Sequence, residues 1–208
     1  MIDIIRPSVS LEWVTPDALE VIERAGRTCY RSDPRGDPAA FVQRILKRGH
    51  ESVIEHASAS FRIVCDRGVS HEFVRHRIMS FSQESTRYCA YRGKLTVVRP
   101  PGLDLSAERL WLSAERLWYN AVDACQRAYD AMLDAGVSPQ IARSVLPNCL
   151  KTELVATANF REWRHFLKVR YSKAAHPQMV EIAGMIYDWF NRTVPVIVED
   201  IHVPATDA

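Results

Sequence analysis

Arg75-His76-Arg77-Ile78-Met79-Ser80-Phe81-Ser82-Gln83-Glu84-Ser85-Thr86-Arg87-Tyr88 is the most particular stretch of this 208-residue chain. Ser70 to Arg77 reads as helix, but the apolar residues from Ile78 to Tyr88 follow no helical stripe. From Arg75 to Arg99 there are six lysines or arginines (75, 77, 87, 92, 94, 99) against one acid, Glu84. Charge alone suits a solvated face, or a patch that binds nucleic acid through phosphates. The interleaved Ser80, Ser82, Gln83, Ser85 and Thr86 suit something smaller. Guanidinium forks beside hydroxyl donors hold a small anion by several directed bonds.

Composition narrows how such an anion can be held. The chain has 27 basic and 25 acidic residues, a net charge of +2, with 47% hydrophobic content. That balance supplies a core and argues against disorder or a field acting on the whole molecule. Eight glycines, never closer together than nine residues, exclude G-x-G-x-x-G and the P-loop. Phosphates would have to be held by side chains. The five cysteines lie at least 24 residues apart, with no C-x-x-C pair, and read as small buried hydrophobes in a reducing cytosol. The zinc-protease pattern beginning at His50-Glu51 fails because Ile54 stands where its second histidine belongs, so no metal is predicted. Met1 to Pro7 lacks a basic n-region and an apolar h-region, and Val194 to Val198 is far short of a membrane span. These features predict a cytoplasmic protein with no membrane partner.

Outward from the central stretch, local patterns give a coarse map. Ile2 to Ile5, Ser58 to Cys65, Leu95 to Val98 and Leu150 to Ala158 read as strands. Thr15-Pro16-Asp17 reads as a helix opening, with Leu19, Ile22, Ala25 and Cys29 along one apolar stripe. A second helix carries Phe41, Ile45 and Leu46 and stops at Gly49. Ser-Ala-Glu-Arg-Leu-Trp occurs at 106–111 and again at 113–118, a heptad duplication that lengthens a helix without breaking its register. That helix runs on to Gly136. A short helix opens at Ser138-Pro139, and Phe160 to Arg170 and His176 to Thr193 close the chain as helices. With no linker in between, the expectation is one α+β domain over residues 1–208, a central mainly antiparallel sheet flanked by long helices.

Arg75-His76-Arg77, seven residues and then Ser85 resembles the signature of the flavin-dependent thymidylate synthases. Three further stretches resemble that family in the right order. They are His50-Glu51-Ser52-Val53-Ile54-Glu55-His56, Arg143-Ser144-Val145-Leu146-Pro147, and Asn159-Phe160-Arg161 with His165-Phe166-Leu167, Arg170 and His176-Pro177-Gln178. Together they cover about residues 2 to 195.

The resemblance implies methylation of dUMP to dTMP, with FAD as tightly bound cofactor and NADPH and 5,10-methylenetetrahydrofolate as co-substrates. It implies a homotetramer with sites shared between subunits, and no cysteine nucleophile. FAD ligands carried over are His50, Ser52, Glu55, Arg75, His76, Arg77, Asn159, Arg161 and His165. Substrate ligands are Glu72, Arg75, Gln83, Glu84, Ser85, Thr86, Arg87, Arg143 and Arg170. Arg170 has the catalytic part, at the uracil edge, where an always-charged guanidinium favours ionisation at N3. Two positions depart from the family's common wording. Ser82-Gln83 stands where Asn-Glu is frequent, and Glu72, where Gln is frequent, sits three residues before Arg75 as if paired with it on a helix. Rival readings are a same-fold flavoenzyme acting on another pyrimidine nucleotide such as UMP, a homologue without activity, and a nucleic-acid-binding module.

Overall fold

The computed structural model describes residues 1–103 and 110–204. Its strands are β1 (Ile2–Ile5), β2 (Ser8–Val14), β3 (Ser58–Asp66), β4 (Ser80–Gln83), β5 (Leu95–Val98) and β6 (Lys151–Asn159). Its helices are α1 (Ala18–Thr28), α2 (Pro38–Lys47), α3 (Arg67–Phe73), α4 (Leu110–Asp134), α5 (Pro139–Ala142), α6 (Phe160–Arg170) and α7 (Pro177–Thr193). A 3₁₀ segment at Glu51–His56 joins α2 to β3. The fold is therefore α+β. The chain divides into two compact units, one of Met1–Pro7, Val64–Phe73 and Gln83–Leu154, the other of Ser8–Ile63, Val74–Ser82 and Val155 onward. The boundary falls inside β3 and β6.

In the first unit β1 pairs in parallel with β5, Ile2 opposite Leu95 through Ile5 opposite Val98. Alternation buries Leu95 and Val97 with Val122 of α4 and Leu150, and Ile2, Ile4 and Trp118 pack against that cluster. Trp118 ends the second copy of the duplicated heptad, so that copy anchors α4 to the core. Residues 106–109 of the first copy lie outside the described residues. Helix α4 stops where Gly136 turns to φ +82°. There Gly136 N–H donates to Leu133 O and Val137 N–H to Met132 O, closing the last turn.

The second unit is built on aromatics. Phe61 of β3 meets Trp163 of α6 and Trp189 of α7 edge-on at 5.1 and 5.2 Å between centroids, the arrangement ring quadrupoles favour. Trp163 Nε1 donates to Ala59 O at 3.0 Å, so the buried indole keeps no unpaired donor. The larger sheet runs β2-β3-β6-β4. Contacts fall as Thr15 with Ser58 and Glu12 with Arg62, then Ala57 with Phe160 and Ser60 with Thr157. One number rises as its partner falls, so β2, β3 and β6 run antiparallel.

Three local expectations need correction. Helix α1 begins at Ala18, after Asp17 in a left-handed turn at φ 48°, because Thr15 is drawn off. Its hydroxyl donates to Ser58 O and accepts from Ser58 N–H, tying the end of β2 to β3. Cys29 is exposed, and the buried residues of α1 are Ala18, Ile22 and Glu23. Helix α3 covers Arg67–Phe73, so Arg75-His76-Arg77 forms a turn, closed by Met79 N–H on His76 O at 3.1 Å. The helical spacing that would pair Glu72 with Arg75 is therefore absent.

Candidate active site

In the second unit, the turn after α3 drives His76 into the protein while Arg75 and Arg77 on either side stay exposed. Arg170, the last residue of α6, donates from Nε to His76 Nε2 at 3.0 Å. His76 Nδ1 stands 3.6 Å from Glu162 Oε1, a carboxylate two turns earlier on the same helix. Since Nε2 accepts, the imidazole proton belongs on Nδ1, facing Glu162. Burial, then the charges of Arg170 and His165, push the His76 pKa down to about 4. Burial pushes Glu162 up, against the opposing pull of His165. The result is a neutral histidine that fixes the plane of an arginine.

His76, Glu162 and His165 bring donor atoms within 4.8 Å of one another, close enough to invite a cation. The Arg170 guanidinium already occupies His76 Nε2, and its fixed positive charge opposes a second cation, so this donor set does not fit a metal.

Nearby on the chain, the Asn159 side chain caps α6 by accepting from Glu162 N–H at 2.9 Å. That bond serves the helix. Arg161 donates to Glu55 at 2.6 Å, joining α6 to the 3₁₀ segment that follows His50. His50 and Ser52 are exposed. Arg164, missed by sequence reasoning, is buried and donates to both oxygens of Asp200 at 2.7 and 2.8 Å and to Glu51 at 3.1 Å. Burial opposes the Glu51 carboxylate, but bonds from Arg164 and Lys168 outweigh it and hold its pKa below the ordinary range. This network pins the segment bearing His50, Ser52 and Glu55.

In the first unit, Gln83 donates from Nε2 to Ser70 Oγ at 2.9 Å and Thr152 Oγ1 at 3.1 Å. Thr86 is buried and accepts from Arg143 Nη1 at 2.9 Å. Ser85 Oγ accepts from Arg87 N–H at 3.3 Å, and the exposed Arg87 guanidinium lies 5.5 Å from the Tyr88 ring. Thus Ser85, Thr86, Arg87 and Arg143 form one local group. Glu84 is engaged by Tyr91 OH at 2.8 Å and Lys151 Nζ at 2.7 Å. Burial works against the Lys151 ammonium, but Glu84 and Glu153 overcome it and hold its pKa high. Glu72 is half-buried near the end of α3.

The basic cluster is smaller than charge counting implied. Arg92 pairs with Asp134, Lys94 with Asp3, and Arg99 with Glu115. These acids lie far away in sequence, so local counting could not cancel them. What remains is the arginine set of the motif itself.

A model of the thymidylate synthase complementing protein family, Thy1, matches residues 10–196. The chain belongs to that family. A flavin-dependent thymidylate synthase of Mycolicibacterium gilvum is 37% identical over 94% of this chain and 85% of its own length. One from Geobacter sulfurreducens is 35% identical over 92% and 85%. Among solved structures, a UMP/dUMP methylase, PolB of Streptomyces cacaoi bound with 5-Br UMP, superposes with a TM-score of 0.81. It covers 96% of both chains at 23% identity, a likeness of fold. The matched range spans the Arg75-His76-Arg77 turn and the strand and helix that carry Asn159, Arg161 and Arg170.

Proposed function

We propose that this chain, as an FAD-dependent thymidylate synthase, methylates C5 of dUMP to give dTMP. The carbon comes from 5,10-methylenetetrahydrofolate and the reducing power from NADPH. The observation that carries the chemistry is the contact of Arg170 with a buried, neutral His76.

The donor set of the second unit fits a flavin dinucleotide. Arg75 and Arg77 are exposed and, among the described residues, pair with no acid. Guanidinium and imidazole donors of this kind suit a pyrophosphate where no glycine-rich loop exists. His50, Ser52, Glu55, Arg75, His76, Arg77, Asn159, Arg161 and His165 would hold it. When bound, FAD supplies the reducing equivalents that turn a methylene into a methyl group.

The remaining work falls to side chains. Ser85, Thr86, Arg87 and Arg143 bind the substrate phosphate, with Arg75 contributing; Glu72, Gln83 and Glu84 shape that site. The bond from Thr86 to Arg143 sets one guanidinium in place before the anion arrives. Arg170 meets the uracil edge and stabilises negative charge developing at N3, which makes C5 electron-rich enough to accept the carbon as its proton leaves. A guanidinium whose Nε is held by His76 cannot swivel, and a fixed plane is what directional recognition requires.

We extend the proposal to one functional domain over 1–208, acting in the cytoplasm as a homotetramer. The family match runs through both compact units. Exposed Leu11, Trp13, Val74, Ile78 and Val169 supply apolar surface for self-association.

The test is direct. The purified protein should be yellow, bleach with NADPH, and form dTMP from dUMP and methylenetetrahydrofolate, with UMP assayed in parallel. A yellow, reducible protein that makes no dTMP would overturn the reading while sparing the fold. Product from UMP alone would move it to the ribonucleotide.

A further inference from the structure

The residues assigned above account for FAD and dUMP, yet the reaction uses two more anionic molecules. The second unit contains a cleft of about 600 Å³, lined by Arg27, Tyr30, Phe41, Arg44, Arg48 and His50 among others. Its size is that of a small-molecule site. Its floor exists because residue 26 is glycine. A Cβ there would come within 2.8 Å of the Phe41 ring and 3.0 Å of Val53, so the ring could not lie against α1. Arg27 stacks over that ring with 4.8 Å to its centroid, while Glu23 holds its Nε at 2.8 Å.

The other two arginines are different. Arg44 and Arg48 stand one turn apart on the exposed face at the end of α2, and among the described residues neither pairs with an acid. Residues 24–48 carry seven bases (24, 27, 31, 35, 44, 47, 48) against Asp33 and Asp37. This is a second positive segment, hidden by the whole-chain net charge of +2. Cations crowded without counter-charge around an aromatic floor lower the free energy of an anion placed there.

We infer that this cleft binds a co-substrate combining a flat ring with a dense anionic group, through Arg44 and Arg48. That chemistry is shared by the phosphorylated dinucleotide reductant and by the glutamate-bearing one-carbon donor. The inference rests on the proposed function for the identity of these molecules. His50 and Ser52, assigned to the flavin, also line the cleft, so its ligand would lie beside the cofactor with which both co-substrates must react. Phe41 and Tyr30 offer faces for ring stacking, and the two guanidiniums offer forks for phosphate or carboxylate.

The experiment measures binding by equilibrium dialysis on the flavin-loaded enzyme. Probes are NADP+ and NAD+, the nicotinamide forms that cannot reduce the flavin, and tetrahydrofolate with one or three glutamates. The protein is compared with Arg44→Ala/Arg48→Ala and with Arg24→Ala/Lys47→Ala, whose side chains do not line the cleft. Loss of at least tenfold in NADP+ affinity with NAD+ unchanged assigns the nucleotide phosphate. The same loss confined to the triglutamate assigns the folate tail. Arg44→Lys/Arg48→Lys should recover part of either loss. Affinities within twofold for all probes would overturn the inference, as would an equal loss in the Arg24/Lys47 control. Loss of flavin absorbance in the cleft variant would also overturn it, because the cleft would then serve the resident cofactor. Each arm reads binding rather than turnover, so absence of dTMP synthesis would defeat the functional proposal and leave the cleft's answer standing.

Discussion

Arg170 reaches its position by a bond to a histidine that burial keeps uncharged. Arg170→Lys keeps one positive charge but loses the Nε–H that His76 accepts. It should cut kcat by about 10²-fold or more while flavin stays bound, checked by steady-state turnover beside the visible spectrum. Glu162→Gln tests the carboxylate behind His76. A positioning part predicts a lower kcat with unchanged flavin content and a shifted pH profile, whereas a purely structural part would alter only the melting temperature. The His76 pKa of about 4 lies below the ordinary 6.5, so the unfolded chain binds the proton more readily than the folded one. The stability tied to this group is complete above pH 6.5 and is lost as pH falls from 6.5 towards 4. NMR titration should show one imidazole that stays neutral to about pH 4. At this scale the motifs singled out His76 and Arg170 in the sequence, but not that the two would touch or that Arg75-His76-Arg77 would be a turn. Helix propensity over 70–77 gave way to the demand that His76 be buried between arginines left in solvent.

Among elements, those with local signals were legible. β1 and β5 were read at their observed bounds, as was α6, whose cap is Asn159 and whose first turn carries Glu162. Asn159→Ala should destabilise the protein by about 1 kcal/mol, seen as a lower urea midpoint, since it strands the Glu162 N–H. Gly136→Ala should cost a similar ~1 kcal/mol, because a side chain is strained at φ +82°. β2 was missed although Val9, Leu11 and Trp13 alternate with polar residues. Leu11 and Trp13 remain about half exposed on this end strand, so its alternation marks no strongly buried face. β4 was missed because Ser80-Phe81-Ser82-Gln83 has one apolar residue, whereas β1 and β5, equally short, are mostly aliphatic. The cleft between α1 and α2 had a signal in the seven bases of residues 24–48, three of which line it, masked by the near-neutral charge of the whole chain.

For the molecule as a whole, the C-terminal segment is tied to the Glu51 segment through Arg164. Replacing both Asp200 and Glu51 with alanine would strand a buried guanidinium and lower unfolding stability by about 3 kcal/mol, measured by denaturant titration. Both carboxyls are held below their ordinary values of 4.5 and 3.8, by Arg164 above all in the case of Asp200. The stability they add is therefore complete above those values and is lost as pH falls through the lowered ones. No helix among the described residues is long and apolar enough to cross a membrane. The four motif stretches were enough, unaided, to say that the chain belongs with the flavin-dependent thymidylate synthases, and glycine spacing alone excluded a glycine-rich phosphate loop. Such signals are local: a residue type at a fixed offset survives in one dimension. Which arginines are cancelled by distant acids, that His76 is neutral, and that Arg44 and Arg48 border a cleft were decided only in three dimensions. Burial and charge pairing depend on residues far apart in the chain, 117 positions for Lys168 and Glu51, and chain order carries no record of that proximity.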